Sequence, residues 1–528
     1  MSKQSLLEQL DQFNEQQLRR LLVEHLTERK LGLRWEANLI ERDAAMNADL
    51  VFPRLLPEHS HALPEAGVVP HLIIEGDNFD ALRLLRATHR GQVRVIYIDP
   101  PYNTGNKDWV YNDHYVGAND RYRHSQWLEF LYQRLCLARD LLTSDGVIML
   151  SINDENRSRL ELLMEEVMPG RRVGSFVWKI RQGSNDAKGA FISVDHEHVL
   201  IYANSGFAFA GAQRSYATYY NEDNDPNGDW SSDTLSCAKD FIERPNLYYP
   251  IQDPATGIWY PCNPERVWVY SSELKKKAAE LRSKTMEEFI LDKRVLFPKK
   301  QQVEEWHSIE DLLEAIDSGN VPGTGATKML RRDLPDLSFW VGKKIGFGRP
   351  RFKRYKKDLA GETKPISSWI QPSSEKDNDE ADSLIVGSNQ EGARDILSFF
   401  GTKVFNYAKP LSLIKNLLQQ ATRPNDIVLD FFAGSGTTAQ AVLELNAEDE
   451  GKRRFILCSS TEATTKEPNK NLCRDVCAER VRRVMQGYGN KPALGGSFAY
   501  LQLDKYQEAD IQFGGRFKAN RGAAGLGA

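Results

Sequence analysis

Asp99-Pro100-Pro101-Tyr102 closes the apolar run Val93-Arg94-Val95-Ile96-Tyr97-Ile98. A β-rich segment ending in an acid, two prolines and an aromatic ring makes a rigid turn at a strand's C-terminal edge, where open α/β sheets bind ligands. Each proline fixes φ and removes a backbone donor, so the turn's carbonyls are expected to point outward, unclaimed by local hydrogen bonds. Acceptors beside a flat stacking face suit a planar ring that bears an NH2 group. The bland alternative is an ordinary turn behind a core strand.

A second constellation lies more than 300 residues downstream. Asp426-Ile427-Val428-Leu429-Asp430 reads as a buried strand, Phe431-Phe432-Ala433-Gly434-Ser435-Gly436-Thr437-Thr438 as a turn, and Ala439 to Leu445 as a helix. Strand, glycine-rich turn and helix begin a nucleotide-type fold, in which glycine lets the backbone approach a ligand. The third glycine of the dinucleotide fingerprint is absent, and no Gly-Lys-Ser/Thr follows. A ligand with an adenosine and no phosphate is therefore favoured over a pyrophosphate.

The elements around these turns alternate. Leu72-Ile73-Ile74, the run before Asp99, and Val147 to Ile152 read as strands, with helices at Phe79–Ala87, Trp127–Leu142 and Arg157–Val167 between and after them. Two further strands follow at Gly174–Ile180 and His198–Ala203. Alternation of this kind implies a parallel sheet. It dissolves from about residue 206 to 395, a region with Trp230, Trp259, Trp268 and Trp340 that ends near the polar stretch 373–380. Residues 5–30 have the spacing of amphipathic helices, through Leu18, Leu21, Leu22 and Leu26, and 511–528 reads as a flexible tail.

A net charge of −4 over 528 residues does not advertise a nucleic-acid binder. The positive charge is nevertheless concentrated: Lys343, Lys344, Arg349, Arg351, Lys353, Arg354, Lys356 and Lys357 fall within fifteen residues that contain no acid. Phe347, Phe352 and Tyr355 are interleaved, a mixture suited to phosphate contact and base stacking, although a solvated face is the commoner meaning of a charge run. No stretch approaches the roughly 20 apolar residues that span a bilayer. The N-terminal residues have no apolar signal core, and six cysteines are sparse and unpatterned, so a cytoplasmic location with reduced thiols is expected. Asp195-His196-Glu197-His198 lacks a third spaced ligand and is not expected to hold a metal. Cys473 and Cys477 read as buried thiols.

Taken together, the D-P-P-Y turn and the F-x-G-x-G loop (Phe432 to Gly436) resemble the hallmarks of amino-methylating DNA methyltransferases. Their order, catalytic turn first, is that of the β class. Glu75-Gly76-Asp77-Asn78 and Phe405-Asn406-Tyr407-Ala408-Lys409-Pro410 resemble further motifs of that class. The stretches Asp99 to Lys107 and Asp145 to Asn156 look like the Mod subunit of type III restriction-modification systems. The resemblance covers roughly residues 20–205 and 390–505.

That kinship implies a Rossmann-like α/β methyltransferase fold split by an inserted target-recognition domain, with a helical N-terminal extension. The expected division is 1–69 extension, 70–205 catalytic half, 206–395 DNA-reading domain, 396–510 cofactor half and 511–528 tail. The implied reaction transfers a methyl group from S-adenosyl-L-methionine to the N6 amine of a flipped-out adenine; N4-cytosine, RNA or protein-amide methylation are the alternatives. Asp99, Pro100, Pro101 and Tyr102 would be catalytic. Asp77, Lys409, Pro410, Asp430, Phe432, Ala433, Gly434, Ser435, Gly436, Thr437 and Glu462 would contact the cofactor, Glu462 through its ribose. The eight basic residues at 343–357 would contact double-stranded DNA. A homodimer and a Res helicase-nuclease partner are implied by the type III likeness alone.

Overall fold

The computed structural model describes residues 50–63, 69–104, 106–111, 114–117, 123–181, 183, 191–275, 283–359, 361–375, 382–464 and 467–506. The amphipathic helices expected at 5–30 and the tail expected at 511–528 lie outside these. Two compact units separate, one comprising 213–363 and the other the chain on either side of it.

The larger unit is built on one sheet. In chain order its first elements are β1 (Leu50–Leu55), β2 (His71–Glu75), α1 (Asn78–Thr88), β3 (Val93–Ile98), α2 (Arg123–Arg139), β4 (Leu142–Ile152), α3 (Asp154–Val167), β5 (Arg172–Lys179) and β6 (His196–Ala203). The smaller unit contributes β7 (Trp230–Thr234), β8 (Val295–Leu296) and β9 (Arg351–Tyr355). The larger unit then resumes with β10 (Trp369–Pro372), β11 (Ile385–Val386), α4 (Asn389–Phe400), α5 (Leu411–Ala421), β12 (Ile427–Asp430), α6 (Thr437–Asp449), β13 (Arg454–Ser459), a π-helix at Cys473–Ala478, α7 (Glu479–Gln486) and β14 (Phe498–Tyr506). The sheet has eleven strands in the order β1-β14-β2-β13-β12-β3-β4-β6-β5-β10-β11.

The expected parallel sheet is found at its centre, where β2, β13, β12, β3 and β4 pair parallel. β6 is antiparallel to both β4 and β5, so the alternation rule does not extend that far. β3 is buried throughout because both of its faces are covered. Val95 and Tyr97 pack with α5 and α6 residues such as Leu417 and Val442, whereas Ile96 and Ile98 pack with α1, α2 and α3 residues such as Leu82, Leu131 and Leu160. Period-two alternation between two apolar layers explains why the strand reads as an apolar run broken only at Arg94, whose buried guanidinium pairs with Asp145 at 2.7 Å. Each such side chain contributes about 1.5–3 kcal/mol by leaving water.

β12 and β3 are neighbours, registered Val428 to Val95 and Leu429 to Ile96. From β12 the chain proceeds through α6 to β13 on one side; from β3 it proceeds through α2 to β4 on the other. The strand order therefore diverges between them, which opens a crevice at their C-terminal ends.

Two expected boundaries move. Residues 50–55, placed in a helical extension, form β1, whose six residues pair antiparallel with β14. The insertion ends at 363 rather than 395, because β10 joins the main sheet through Trp369 and Ile370 beside Val177 and Trp178. That strand, Trp-Ile-Gln-Pro, is too short to show a period and ends in a proline, so it does not stand out in sequence. The smaller unit has its own core, including Tyr249, Tyr260, Trp268 and Phe352, and a three-stranded sheet ordered β7-β9-β8. Among the described residues no helix is long and apolar enough to cross a membrane.

Candidate active site at the sheet's C-terminal edge

Asp99 leaves β3 at the mouth of the crevice. Lys409 Nζ lies 3.0 Å from Asp99 Oδ1 and 3.5 Å from Glu197 Oε2, with the lysine side chain 8% exposed. The Tyr102 hydroxyl donates to Glu197 Oε2 at 2.9 Å, and the Lys409 ammonium stands 4.8 Å from the centre of the Tyr102 ring. Two carboxylates thus share one ammonium beside an aromatic face. Burial raises the Asp99 carboxyl above its usual range; Lys409 opposes that, and Glu197 adds to it. For Lys409 burial acts downward, but Asp99 and Glu197 outweigh it and hold the ammonium above its ordinary value. Burial, with Asp99 and Glu197 adding, pushes the Tyr102 phenol well up, so it stays a donor.

The turn is more tightly fixed than two prolines require. The Trp127 indole N–H donates to the Pro101 carbonyl at 2.7 Å, and Asn156 Nδ2 donates to the Tyr102 carbonyl at 2.7 Å. The expectation of unclaimed carbonyls therefore fails at Pro101 and Tyr102, because α2 and α3 supply donors the sequence does not place there. Asn103 follows at φ 56°, a left-handed turn that asparagine tolerates.

The glycine loop stands at the end of the adjacent strand. Asp430 is 3% exposed; its Oδ1 accepts from Phe432 N at 3.0 Å and its Oδ2 from Thr438 Oγ1 at 2.5 Å. Burial, with a smaller push from Asp99, raises this carboxyl to about 7. Phe432 packs toward Phe130 across 6.0 Å, and Ala433 N donates to the Cys458 carbonyl at 3.2 Å. Gly434 and Gly436 have φ 50° and 80°, and β-carbons there would lie 3.1 Å from Phe405 Cζ and 3.2 Å from the Cys477 carbonyl oxygen. Left-handed backbone and close protein neighbours already demand glycine at both positions. Ser435 and Thr437 are buried and accept from the Arg480 guanidinium at 3.0 and 2.8 Å.

The remaining expected cofactor residues are spread more widely. Asp77 caps α1 by accepting from Phe79 N at 2.8 Å and pairs with Arg134 at 3.0 Å, while its neighbour Asn78 donates to the Phe431 carbonyl at 3.0 Å. Pro410 is buried at the N-cap of α5. Lys409, expected at the cofactor, has its ammonium on the Asp99 side. Glu462 is exposed, at φ 52°, and its carboxylate pairs with Lys470 at 2.9 Å. Sequence reasoning misses Glu197 and Arg480. The first could be found as a buried acid in a run where β6 begins; the second sits on α7 with no local signal of its contacts.

The Asp195–His198 segment does acquire a third group, since ligand atoms of Asp154, His196 and His198 lie within 4.8 Å of one another. Arg157 only donates, so His198 Nδ1 accepts from it at 3.3 Å and Nε2 carries its proton toward Asp154 Oδ1 at 3.1 Å. Arg157, His198 and Asp154 thus form one hydrogen-bond chain, and His196 meets it only through an edge-on ring contact with His198 at 5.1 Å. Cys473 and Cys477 are fully buried, and burial raises both thiols.

In the smaller unit the basic stretch divides. Lys353 is 3% exposed and inserted between Asp225, at 2.8 Å, and Asp223, with the Trp230 ring 4.7 Å away. Phe352 and Tyr355 are buried as well, so the expectation that these three contact or stack on DNA is corrected: β9 uses them for its own core. Arg351 and Arg354 face outward, bonded to Ser232 at 3.2 Å and Asp233 at 2.9 Å. Lys344 and Arg349 are exposed, Lys343 lies 5.9 Å from the Trp259 ring, Lys356 lies 4.4 Å from the Tyr216 ring, and Lys357 donates to Asn227 at 2.6 Å.

A family model described as DNA methylase matches residues 93–467, which contain both turns. The Mod subunit of the type III restriction-modification enzyme StyLTI from Salmonella typhimurium is 30% identical over 84% of this chain and 62% of its own length. The EcoPI Mod subunit from Escherichia phage P1 is 29% identical over 76% of this chain and 59% of its own. The type II methyltransferase M.KpnI from Klebsiella pneumoniae is 26% identical over 74% of this chain and 81% of its own. The chain spans about three-fifths of the two type III relatives. With the family model covering both the Asp99 turn and the Gly434–Gly436 loop, the chain belongs to the N6/N4 DNA methylase family.

Proposed function

We propose that this chain transfers a methyl group from S-adenosylmethionine to the exocyclic N6 amine of an adenine flipped out of duplex DNA. One observation carries the reading: the Asp99 turn and the glycine loop end adjacent strands, close enough for charge on Asp99 to raise Asp430. Asp430 suits the cofactor's ammonium, because a fully buried carboxylate held by one hydroxyl and one N–H gains from a cation. When bound, S-adenosylmethionine supplies a methyl group carried on a sulfonium.

The rest of the chemistry belongs to the protein. An exocyclic amine is a poor nucleophile because its lone pair is delocalised into the ring. Asp99 and the Pro100 carbonyl accept its two N–H bonds, which draws the nitrogen toward tetrahedral geometry and frees the lone pair. The nitrogen becomes cationic as its new bond forms. Two carboxylates sharing the single Lys409 ammonium leave the pocket net negative, which favours that cation. Asp99, raised by burial, is suited to take the released proton. A base inside a duplex cannot reach this turn and must be extruded onto the Tyr102 ring.

The unit at 213–363 is assigned to DNA reading through its outward-facing arginines and lysines, and the chain to the modification side of a type III-like system through the names of its relatives. A homodimer, a Res helicase-nuclease partner and a cytoplasmic location complete this reading. Methylation-sensitive long-read sequencing of DNA from cells expressing the chain tests it. N6-methyladenine at one recurrent motif is expected; unmodified DNA from cells with abundant folded protein would refute it.

A further inference from the structure

The segment 401–410, between α4 and α5, runs from one half of the crevice to the other. Phe405 packs on the glycine loop, its Cζ 3.1 Å from where a Gly434 β-carbon would lie. Lys409 sits on Asp99 at 3.0 Å. Gly392 of α4 provides another anchor, since a β-carbon there would overlap the Ala408 carbonyl. Between these fixed points Tyr407 stands at φ 65°, with the residue 88% exposed.

Neither property is explained by the fold. A left-handed backbone disfavours every residue except glycine and, less strongly, asparagine and aspartate; for a bulky residue it is an outlier. An exposed ring gains nothing from burial in the ligand-free chain. Glycine or asparagine would make the same turn with less strain. An outlier of this kind beside a reactive site points to a role for its side chain. In the chain Tyr407 stands between Phe405, on the loop that would receive the cofactor, and Lys409, on the Asp99 that would receive the target amine, and both of those ligands carry a planar base.

We propose that Tyr407 is a stacking platform for a base ring in the crevice, either the extruded target base or the adenine of the cofactor. This rests on the methyltransferase reading above. Stacking of a base on an aromatic side chain is lost by alanine substitution with a penalty of roughly five- to hundred-fold in affinity.

The test uses the full chain with three substitutions. Tyr407→Phe keeps the ring, Tyr407→Ala removes it, and Tyr407→Asn removes it while suiting the left-handed backbone. S-adenosylhomocysteine affinity is measured by calorimetry. Target stacking is read from the fluorescence of 2-aminopurine placed at the methylated position of a duplex, with KM for DNA alongside. Loss of S-adenosylhomocysteine affinity in the Ala and Asn variants, with Phe within about threefold of wild type, identifies the cofactor's ring. Unchanged cofactor affinity with raised KM for DNA and lost 2-aminopurine quenching identifies the target. Ala and Asn variants that match wild type in both arms would overturn the proposal, as would a Phe variant as impaired as Ala. Wild-type chain that neither binds S-adenosylhomocysteine nor methylates DNA would instead refute the functional reading itself.

Discussion

Asp430→Asn should cost the chain its cofactor while making the cofactor-free chain more stable at neutral pH. Burial raises the Asp430 carboxyl from its ordinary 3.8 to about 7. Between those values the folded chain holds a proton that the unfolded chain has released. Folding stability attributable to this group is therefore greatest at low pH, falls as pH rises through that window, and levels off above the folded value. At 1.36 kcal/mol per pH unit, the full fall is about 4 kcal/mol. Asparagine keeps the shape and one acceptor oxygen for Phe432 N or Thr438 but does not titrate. The stability difference, variant minus wild type, should grow by about 3 kcal/mol between pH 5 and pH 8, the part of the fall that lies above pH 5, while the poorer hydrogen bond of asparagine lowers the variant equally at every pH. Thermal melts of both chains without ligand read this directly, as a variant Tm that pulls ahead of wild type with rising pH. Calorimetry on the same samples should show S-adenosylhomocysteine affinity reduced about a hundredfold, the scale of removing a charge-assisted hydrogen bond from a buried site. A Tm difference that does not change from pH 5 to pH 8 would refute the reasoning, since it would mean that Asp430 is not held protonated by burial.

Glu197→Gln removes a neighbour that raises Asp99, so turnover should fall roughly tenfold and the acid limb of its pH profile should move to lower pH; a limb that stays in place would remove Glu197 from the charge cluster. Lys353→Met leaves Asp223 and Asp225 without their buried cation and should lower the melting temperature of the chain by several degrees, with unfolding followed by circular dichroism. Neutralising Lys344, Arg349, Arg351 and Arg354 together should leave the melt near wild type. It should reduce the log–log salt slope of DNA binding by roughly 0.9 for each phosphate that no longer meets a basic side chain; a folded variant with an unchanged slope would make these residues ordinary surface.

How much of this is readable from sequence depends on whether the information is local. β3, β12 and the two turns are readable because a strand buried on both faces writes a largely apolar run and because proline and glycine mark turns by their backbone limits. Their adjacency is a pairing across more than 300 residues, and only the family's motif order suggests it. The misplacement of Lys353 has a physical origin. A basic-aromatic run looks the same whether its cations meet phosphate or two carboxylates 128 and 130 residues away. Glu197 is easily passed over because its flanking histidines suggest metal binding, whereas the side chain that matters alternates to the opposite side of β6 from its neighbours. Glu462 is chosen for the ribose because it follows the strand after the glycine loop, and in the fold its exposed carboxylate pairs with Lys470, a contact the sequence does not announce. The boundary at 363 is hidden because β10 joins the sheet through two registered pairs with β5, which carry no periodic signal.

The central claim is that the crevice between β12 and β3 methylates an exocyclic amine through Asp99. The most direct test incubates purified chain with duplex DNA and methyl-labelled S-adenosylmethionine, digests the DNA to nucleosides, and identifies the labelled product by mass spectrometry. Wild type should yield N6-methyldeoxyadenosine. Asp99→Ala should lose at least about a hundredfold in turnover, the scale set by removing one transition-state hydrogen bond, with S-adenosylhomocysteine affinity within about threefold of wild type because the loss lies in the reacting geometry. Label on a ring carbon, or an Asp99→Ala variant that turns over at the wild-type rate, would contradict the account.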